Sequence, residues 1–276
     1  MRYVRWGVAG EERPGVLDPD GQVRDLSGIV DDLSGPVLAD LPAPDPDGLP
    51  RIAAMPRLGP PVASVGKLIG IGLNYTDHAQ ELGMPLPQEP IVFMKATSAI
   101  CGPDDNVILP PGADKADWEV ELGIVIGRHA KSVPEDQALA HVAGYTIIND
   151  ISERGWQFDR GGQWVKGKSA DTFAPVGPWL VTPDELDDVQ SLELALDLNG
   201  APVQRGTTAR MIFPVARIVS YLSTIMSLQP GDLIATGTPP GVGTARTPPL
   251  YLRHGDDMRL RITGLGQQHQ RVVQAG

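Results

Sequence analysis

Two acidic residues, Glu119 and Glu121, lie in a segment in which apolar and polar residues alternate. Apolar side chains fill the even positions from Trp118 to Ile126, which predicts a half-buried β-strand. Residues two apart on a strand point to the same face, about 7 Å apart along the backbone, so both carboxylates can converge on one hard cation. The simpler interpretation is that both glutamates face water on an antiparallel strand.

A third carboxylate, Asp150, follows the apolar run from Tyr145 to Asn149. An aspartate after a strand is often only a turn residue or a helix cap. Together with Glu119 and Glu121 it instead completes a ligand set made only of oxygen atoms. Such a set, without His or Cys at ligand spacing, suits Mg²⁺ or Mn²⁺ rather than Zn²⁺.

His78 and Glu81 are three residues apart in a short segment that is predicted to be helical. This spacing places both side chains on one helix face, where a carboxylate can orient an imidazole and raise its basicity. The pair is then a candidate general base for water. The alternative is an exposed helix that carries two ordinary polar residues.

Two lysines, Lys166 and Lys168, follow a Gly-rich and aromatic stretch at 161–164. A lysine beside a carboxylate cluster can balance charge or hold a substrate carboxylate. The alternative, a solvated loop lysine, is stronger for Lys166 than for Lys168. The later segment 237–243 is Gly-rich but lacks the lysine of a phosphate loop, although its backbone N–H groups can still hold an anion.

The elements that must position these residues are mostly short strands. Strands are predicted at 3–8, 14–18, 22–26, 68–72, 91–94, 117–127, 145–150 and 233–236, and helices at 76–82, from Pro134 to before Gly144, and from Pro214. Strands outnumber helices and do not alternate with them regularly, which favours a β-rich α+β fold. A Pro-rich connector at 41–50 predicts a small N-terminal domain at 1–61 and a catalytic domain at 62–276.

The composition excludes several classes of function. The net charge of −11 argues against nucleic acid and against anionic membrane surfaces. A single cysteine, Cys101, permits no internal disulfide and indicates a reducing compartment; it has no obvious base partner, so we reject a thiol nucleophile. No apolar run approaches the ~20 residues of a membrane span. We therefore expect a soluble, cytoplasmic protein.

An ordered set of motifs across residues 68–243 resembles the fumarylacetoacetate hydrolase family. The matching stretches are IGIGLNY at 69–75 with Asp77, His78 and Glu81, PIVFMK at 90–95, DWEVEL at 117–122, GY at 144–145 with NDIS at 149–152, Lys168-Ser169 with Pro175, and QPGD at 229–232 running into TGTP at 236–239. The set is most similar to the short branch of acylpyruvase-like and 2,4-dioxo-3-deoxy sugar acid hydrolase-like members, and the tryptophan-rich stretch 156–164 resembles the latter.

The resemblance implies a mixed β-roll, a homodimer and a set of site residues. In that set Glu119, Glu121 and Asp150 hold Mg²⁺ or Mn²⁺, and Lys168 lies beside the metal. His78 and Glu81 activate water on a lid that orders over the substrate. The substrate contacts are Lys95, Gln157 and Thr238. Arg154 and Arg160 match the family more loosely and are candidates for a substrate carboxylate.

The activity that the resemblance implies is metal-dependent hydrolysis of a C–C bond in a 2,4-dioxo acid, giving a 2-oxo acid such as pyruvate and a carboxylic acid. Oxaloacetate decarboxylation and keto–enol or double-bond isomerisation remain alternatives because they need the same enolate. A catalytically silent protein that binds a metal and a small acid is a further alternative.

Overall fold

The computed structural model describes all 276 residues, which form eighteen strands and four α-helices joined by 3₁₀ turns. The strands are β1 (Arg2–Trp6), β2 (Arg13–Leu17), β3 (Val23–Asp25), β4 (Leu58–Gly59), β5 (Leu68–Gly72), β6 (Ile91–Lys95), β7 (Ile100–Cys101), β8 (Val107–Leu109), β9 (Ala116–Asp117), β10 (Val120–Ile126), β11 (Val142–Asn149), β12 (Ser152–Glu153), β13 (Ala174–Val181), β14 (Glu193–Leu198), β15 (Ala201–Thr207), β16 (Leu233–Ala235), β17 (Asp257–Ile262) and β18 (Gly266–Gln274). The helices are α1 (Thr76–Glu81), α2 (Arg154–Phe158), α3 (Val165–Lys168) and α4 (Val215–Ile225).

An eleven-stranded mixed sheet forms the centre of the molecule, in the order β3-β2-β1-β13-β11-β10-β16-β5-β6, with β4 paired to β1 and β7 to β13. Neighbours are antiparallel except for the β16–β5 and β13–β7 pairs. The prediction of a half-buried strand at 117–127 was wrong, because all seven residues of β10 are buried. β10 lies between β11 and β16 inside the sheet and also contacts β14 and β17 of a second sheet.

The second sheet has five strands in the order β15-β14-β17-β18-β8. Its strands were not predicted, although β17 shows the alternation that a strand with one buried face requires. Met258, Leu260 and Ile262 are buried, and Arg259 and Arg261 between them are exposed. The two sheets share one large apolar core. The central strands beside the site are therefore buried on both faces, and this packing holds them in place.

The N-terminal strands are continuous with the central sheet, since β1 pairs with β13 through Arg2–Val181 and Tyr3–Leu180. β2 and β3 extend this edge. Hydrogen bonds between β1 and β13 therefore connect the two predicted domains. The division of the chain between residues 61 and 62 remains a prediction.

Two predicted helices are present close to their predicted positions, as α1 and α4. Tyr75 is the residue before α1, and no side chain caps this helix. The segment after Pro134 is a 3₁₀ helix at Glu135–His141 rather than an α-helix. No helix is long and apolar enough to cross a membrane.

Candidate active site

Glu119, Glu121 and Asp150 form a cluster of carboxylates, here called the carboxylate triad. One oxygen atom from each of the three lies within 4.8 Å of the other two. The pairing of β10 with β11 produces this cluster, because Val120 lies opposite Asn149 and the acidic residues flank that pair. The backbone N–H of Asp150 also donates to the carbonyl of Glu119 at 2.9 Å. All three side chains are buried, so the triad is built into the centre of the sheet.

Glu119 is held by two cations. Lys168 Nζ lies 2.6 Å from Glu119 Oε2 and also 2.6 Å from Asp150 Oδ2, and Arg154 Nη2 donates to Glu119 Oε1 at 2.7 Å. Burial alone would raise the pKa of the Glu119 carboxyl, but the charges and hydrogen bonds of Arg154 and Lys168 together lower it well below its ordinary value. Glu119 is therefore ionised and fixed in position.

Asp150 is held by a second lysine. Lys95 Nζ donates to Asp150 Oδ1 at 2.5 Å and to the carbonyl of Ile151 at 3.0 Å. Burial lowers the pKa of Lys95 to about 8, against the opposing effect of Asp150. Lys95 is not among the residues that line the cavity, so in this structure it orients Asp150 rather than facing a substrate.

Glu121 differs from the other two because its one side-chain hydrogen bond comes from the backbone N–H of Gly237, at 2.7 Å. Burial, followed by the charges of Asp150 and Glu119, raises the pKa of Glu121 well above its ordinary value. Unlike Glu119 and Asp150, Glu121 forms no ion pair with a cation of the protein, and the charge of Lys168 only partly offsets the rise in its pKa. Three buried carboxylates that converge in this way fit a divalent metal ion, which would supply the missing positive charge.

The triad opens into a cavity of about 150 Å³. Its polar and glycine lining consists of His78, Glu119, Glu121, Asp150, Arg154, Gln157, Lys168, Thr238, Gly72 and Gly237, and its apolar lining of Ile71, Leu73, Leu82, Met84, Ile91, Phe93, Phe158 and Trp164. Seven of the nine predicted site residues thus line one cavity; the other two, Glu81 and Lys95, contact lining residues directly.

The predicted base pair is present on α1. His78 Nδ1 lies 2.8 Å from Glu81 Oε2, and the backbone N–H of Gly241 donates to Glu81 Oε1 at 2.9 Å. With its proton on Nδ1, directed to Glu81, the imidazole keeps Nε2 as a proton acceptor. His78 is only 6% exposed and lines the cavity, so the pair is not an ordinary exposed surface pair.

The predicted substrate contacts divide into two groups. Gln157 and Thr238 line the cavity; Gln157 Oε1 accepts from Arg154 at 3.1 Å, and Thr238 Oγ1 donates to the carbonyl of Val120 at 3.0 Å. Arg160 lies outside it, with its guanidinium 4.7 Å from the ring centre of Trp156. Arg154 lines the cavity, but carboxylates of the protein already bind it.

Sequence reasoning missed Asp117 as part of the site. Asp117 accepts from Arg154 Nε at 2.9 Å and from the backbone N–H groups of Gly243 and Thr244 at 2.7 and 3.0 Å. It thereby fixes the arginine that holds Glu119. The signal was present, since Asp117 is the odd-numbered position before Glu119 and Glu121 in the same alternating pattern.

A model of the fumarylacetoacetate (FAA) hydrolase C-terminal domain matches residues 67–273. The chain belongs to the fumarylacetoacetate hydrolase family. A curated relative from Burkholderia cenocepacia, named as a hydrolase, is 56% identical over 281 residues and covers 100% of both chains. This match agrees with the predicted family and with the motifs that carried the resemblance.

Two solved structures share the fold over their whole length. Maleylpyruvate hydrolase from Sphingobium sp. SYK-6, in complex with manganese(II) ion and pyruvate, is 30% identical with a TM-score of 0.81, and each chain is covered to 100%. The 5-carboxymethyl-2-hydroxymuconate delta-isomerase from Mycobacterium smegmatis is 34% identical with a TM-score of 0.79, again with 100% of each chain covered. The predicted fold class, a β-rich α+β roll of this family, is confirmed.

Proposed function

We propose that the protein is a metal-dependent hydrolase that cleaves a C–C bond in a 2,4-dioxo acid, either an acylpyruvate or a 2,4-dioxo-3-deoxy sugar acid. The products would be a 2-oxo acid such as pyruvate and a carboxylic acid. One observation carries the proposal: the carboxylate triad and His78, whose Nδ1 contacts Glu81, line the same cavity. Decarboxylation or isomerisation would need the triad but no base placed against water.

Glu119, Glu121 and Asp150 are the residues that would hold the metal ion, which we propose to be Mg²⁺ or Mn²⁺. When bound, the ion would attract the 2-oxo acid end of the substrate and stabilise the negative charge that develops there. Lys168, 2.6 Å from both Glu119 and Asp150, adds a fixed positive charge at the same place.

His78 would take a proton from water through Nε2, while Glu81 holds the other ring nitrogen. The water oxygen then bonds to C4 of the substrate, and the C3–C4 bond breaks. Its electron pair passes to the 2-oxo acid fragment as an enolate, which takes up a proton to give the 2-oxo acid. The acyl fragment leaves as a carboxylic acid.

A second candidate reaction is isomerisation, which the similarity to the delta-isomerase favours. It also proceeds through an enolate but incorporates no oxygen from water. Oxaloacetate decarboxylation is a third use of the same site, and a catalytically silent binding protein is the remaining alternative. The intact His78–Glu81 pair supports hydrolysis over each of these.

The deciding experiment offers the Mg²⁺- or Mn²⁺-loaded protein a panel of 2,4-dioxo acids and oxaloacetate in ¹⁸O-labelled water. We expect pyruvate to be released and one labelled oxygen to enter the carboxylic acid product. We also expect the catalytic efficiency on a 2,4-dioxo-3-deoxy sugar acid to exceed that on oxaloacetate. Turnover of oxaloacetate alone would replace the hydrolase with a decarboxylase, and absence of all turnover would favour the silent binder.

The assembly and location of the protein remain proposals from the sequence. We expect a homodimer in the cytoplasm whose ligands are small acids. The net charge of −11 supports the absence of nucleic-acid and anionic-membrane partners.

A further inference from the structure

The cavity is charged at its base and apolar at its mouth. The three triad carboxylates are 0–6% exposed and Lys168 is 2% exposed. By contrast Leu82, Met84 and Phe158, which line the same cavity, are 37%, 49% and 52% exposed. A substrate whose acid end reaches the triad must therefore extend its other end past these apolar side chains.

Aromatic rings connect the base to the mouth. Phe93 and Trp164 have ring centres 5.4 Å apart, and Trp164 and Phe158 meet edge to face at 6.1 Å. Lys168 Nζ lies 4.9 Å from the ring centre of Phe93, where the charged and apolar parts of the cavity join. We call the six side chains Leu82, Met84, Ile91, Phe93, Phe158 and Trp164 the acyl wall.

The cavity has no cation free to bind a second acidic group. Its two basic lining residues are Arg154 and Lys168, and both already contact carboxylates of the protein near the base. Within the acyl wall the one polar group is the indole N–H of Trp164. A carboxylate placed there would gain no cationic partner, and any water that it lost against the wall would not be replaced, which is unfavourable.

We propose that this site selects 2,4-dioxo acids whose group beyond C4 is apolar and uncharged, and that it discriminates against dianionic and polyhydroxylated substrates. The proposal rests on the proposed hydrolase function and narrows its substrate class to acylpyruvates with aliphatic or aromatic acyl groups. The acyl wall would select the acyl group, and the metal ion held by the triad would attract the 2-oxo acid end that all these substrates share.

The first test compares substrates of matched length on the Mn²⁺-loaded protein. We expect kcat/KM to rise about fourfold for each methylene added to the acyl group, until the wall is covered. We expect 2,4-dioxooctanoate to exceed 2,4-dioxooctanedioate at least tenfold, and 2,4-dioxohexanoate to exceed its 5,6-dihydroxy derivative. Equal or reversed preferences would overturn the proposal.

The second test introduces a cation into the wall. Met84→Arg and Phe158→Arg should each raise the kcat/KM ratio of 2,4-dioxooctanedioate to 2,4-dioxooctanoate by at least fivefold. Ile225→Arg is the matched control, because Ile225 is 53% exposed at the end of α4 and lies outside the cavity. A ratio that stays unchanged in both wall variants, or that rises equally in the control, would contradict the proposal.

The third test separates this inference from the proposed reaction, since 2-oxo acids that cannot be cleaved still probe the wall. Calorimetry on the Mn²⁺-loaded protein should show tighter binding of 2-oxooctanoate than of 2-oxooctanedioate. If no dioxo acid is cleaved but this preference holds, the hydrolase proposal fails and the specificity proposal stands. If dioxo acids are cleaved but the dioate binds more tightly, the specificity proposal fails alone.

Discussion

The carboxylate triad and the segment that carries His78 are built in opposite ways. Glu121 lies on β10, and Glu119 and Asp150 directly adjoin the ends of β10 and β11, two strands that have neighbours on both sides; all three side chains are buried. His78 lies on a helix of six residues, and residues 80–86, which form the end of that helix and the segment after it, are exposed. A helix this short has little stability of its own. The proposed metal site is thus fixed by the fold, whereas the proposed base lies on a weakly supported segment, so the two roles should be separable by mutation.

The largest effect should come from the triad. Asp150→Ala or Glu119→Ala should abolish activity as fully as chelation does, and added Mg²⁺ or Mn²⁺ should restore only the chelated wild type. Glu119→Ala should also lower the free energy of unfolding by about 3–5 kcal/mol, because Arg154 and Lys168 lose a buried partner. Activity assays measure the first effect and urea unfolding the second, and Asp136→Ala, a change at an exposed residue, is the control. Full activity in a metal-free preparation would remove the metal assignment.

Replacement of the proposed base, His78, should lower the rate and leave metal binding unchanged. His78→Ala is expected to lose about 10²–10⁴-fold in kcat, while its affinity for Mn²⁺ stays that of the wild type, since His78 is no member of the triad. Gln80→Ala, an exposed change on the same helix, is the control. Unchanged turnover with metal bound would make the His78–Glu81 pair a structural feature only.

The raised pKa of Glu121 predicts a pH effect on the metal-free protein. The pKa of the Glu121 carboxyl is higher in the folded state than in the unfolded state, where it is about 4.3. Its contribution to the free energy of unfolding is fully present below the unfolded pKa, and it is lost as the pH rises toward the folded pKa. Glu121→Gln should therefore gain stability relative to wild type between pH 5 and 8, by at most about 1.4 kcal/mol per pH unit. Urea unfolding of wild type and Glu121→Gln at pH 5 and at pH 8 tests the predicted difference in stability, and Glu135→Gln, a change at an exposed residue, is the control. Parallel stability curves for wild type and variant would contradict it.

The smallest effect concerns motion of the segment from Tyr75 to Glu89. We expect amide hydrogen exchange there to slow when oxalate, an enolate mimic, is added with metal, because closure would exclude water from the site. The protected strand β11 provides an internal reference. Identical exchange with and without oxalate would show that the segment does not act as a lid.

The sequence predicted which polar side chains meet at the cavity better than it predicted the apolar side chains around them. Alternation predicted that Glu119 and Glu121 share a face, because strand geometry is local, and both side chains line the cavity. The same alternation predicted half burial wrongly, because burial of β10 depends on the second sheet, whose strands come from residues 107–109 and 193–274. The acyl wall was not predicted at all. Its side chains come from the segment after α1, from β6 and from the region of α2 and α3, so only the folded chain brings them together.

Gly72 on β5 gives the acyl wall a further property. A Cβ atom at this position would lie 2.7 Å from Cζ3 of the Trp164 ring, so alanine would force the indole to move. One nucleotide change in a glycine codon could therefore alter the width of the cavity and leave every acidic, basic and hydrogen-bonding side chain untouched. The proposed acyl specificity would then have a short mutational route to change that leaves the triad and the His78–Glu81 pair intact.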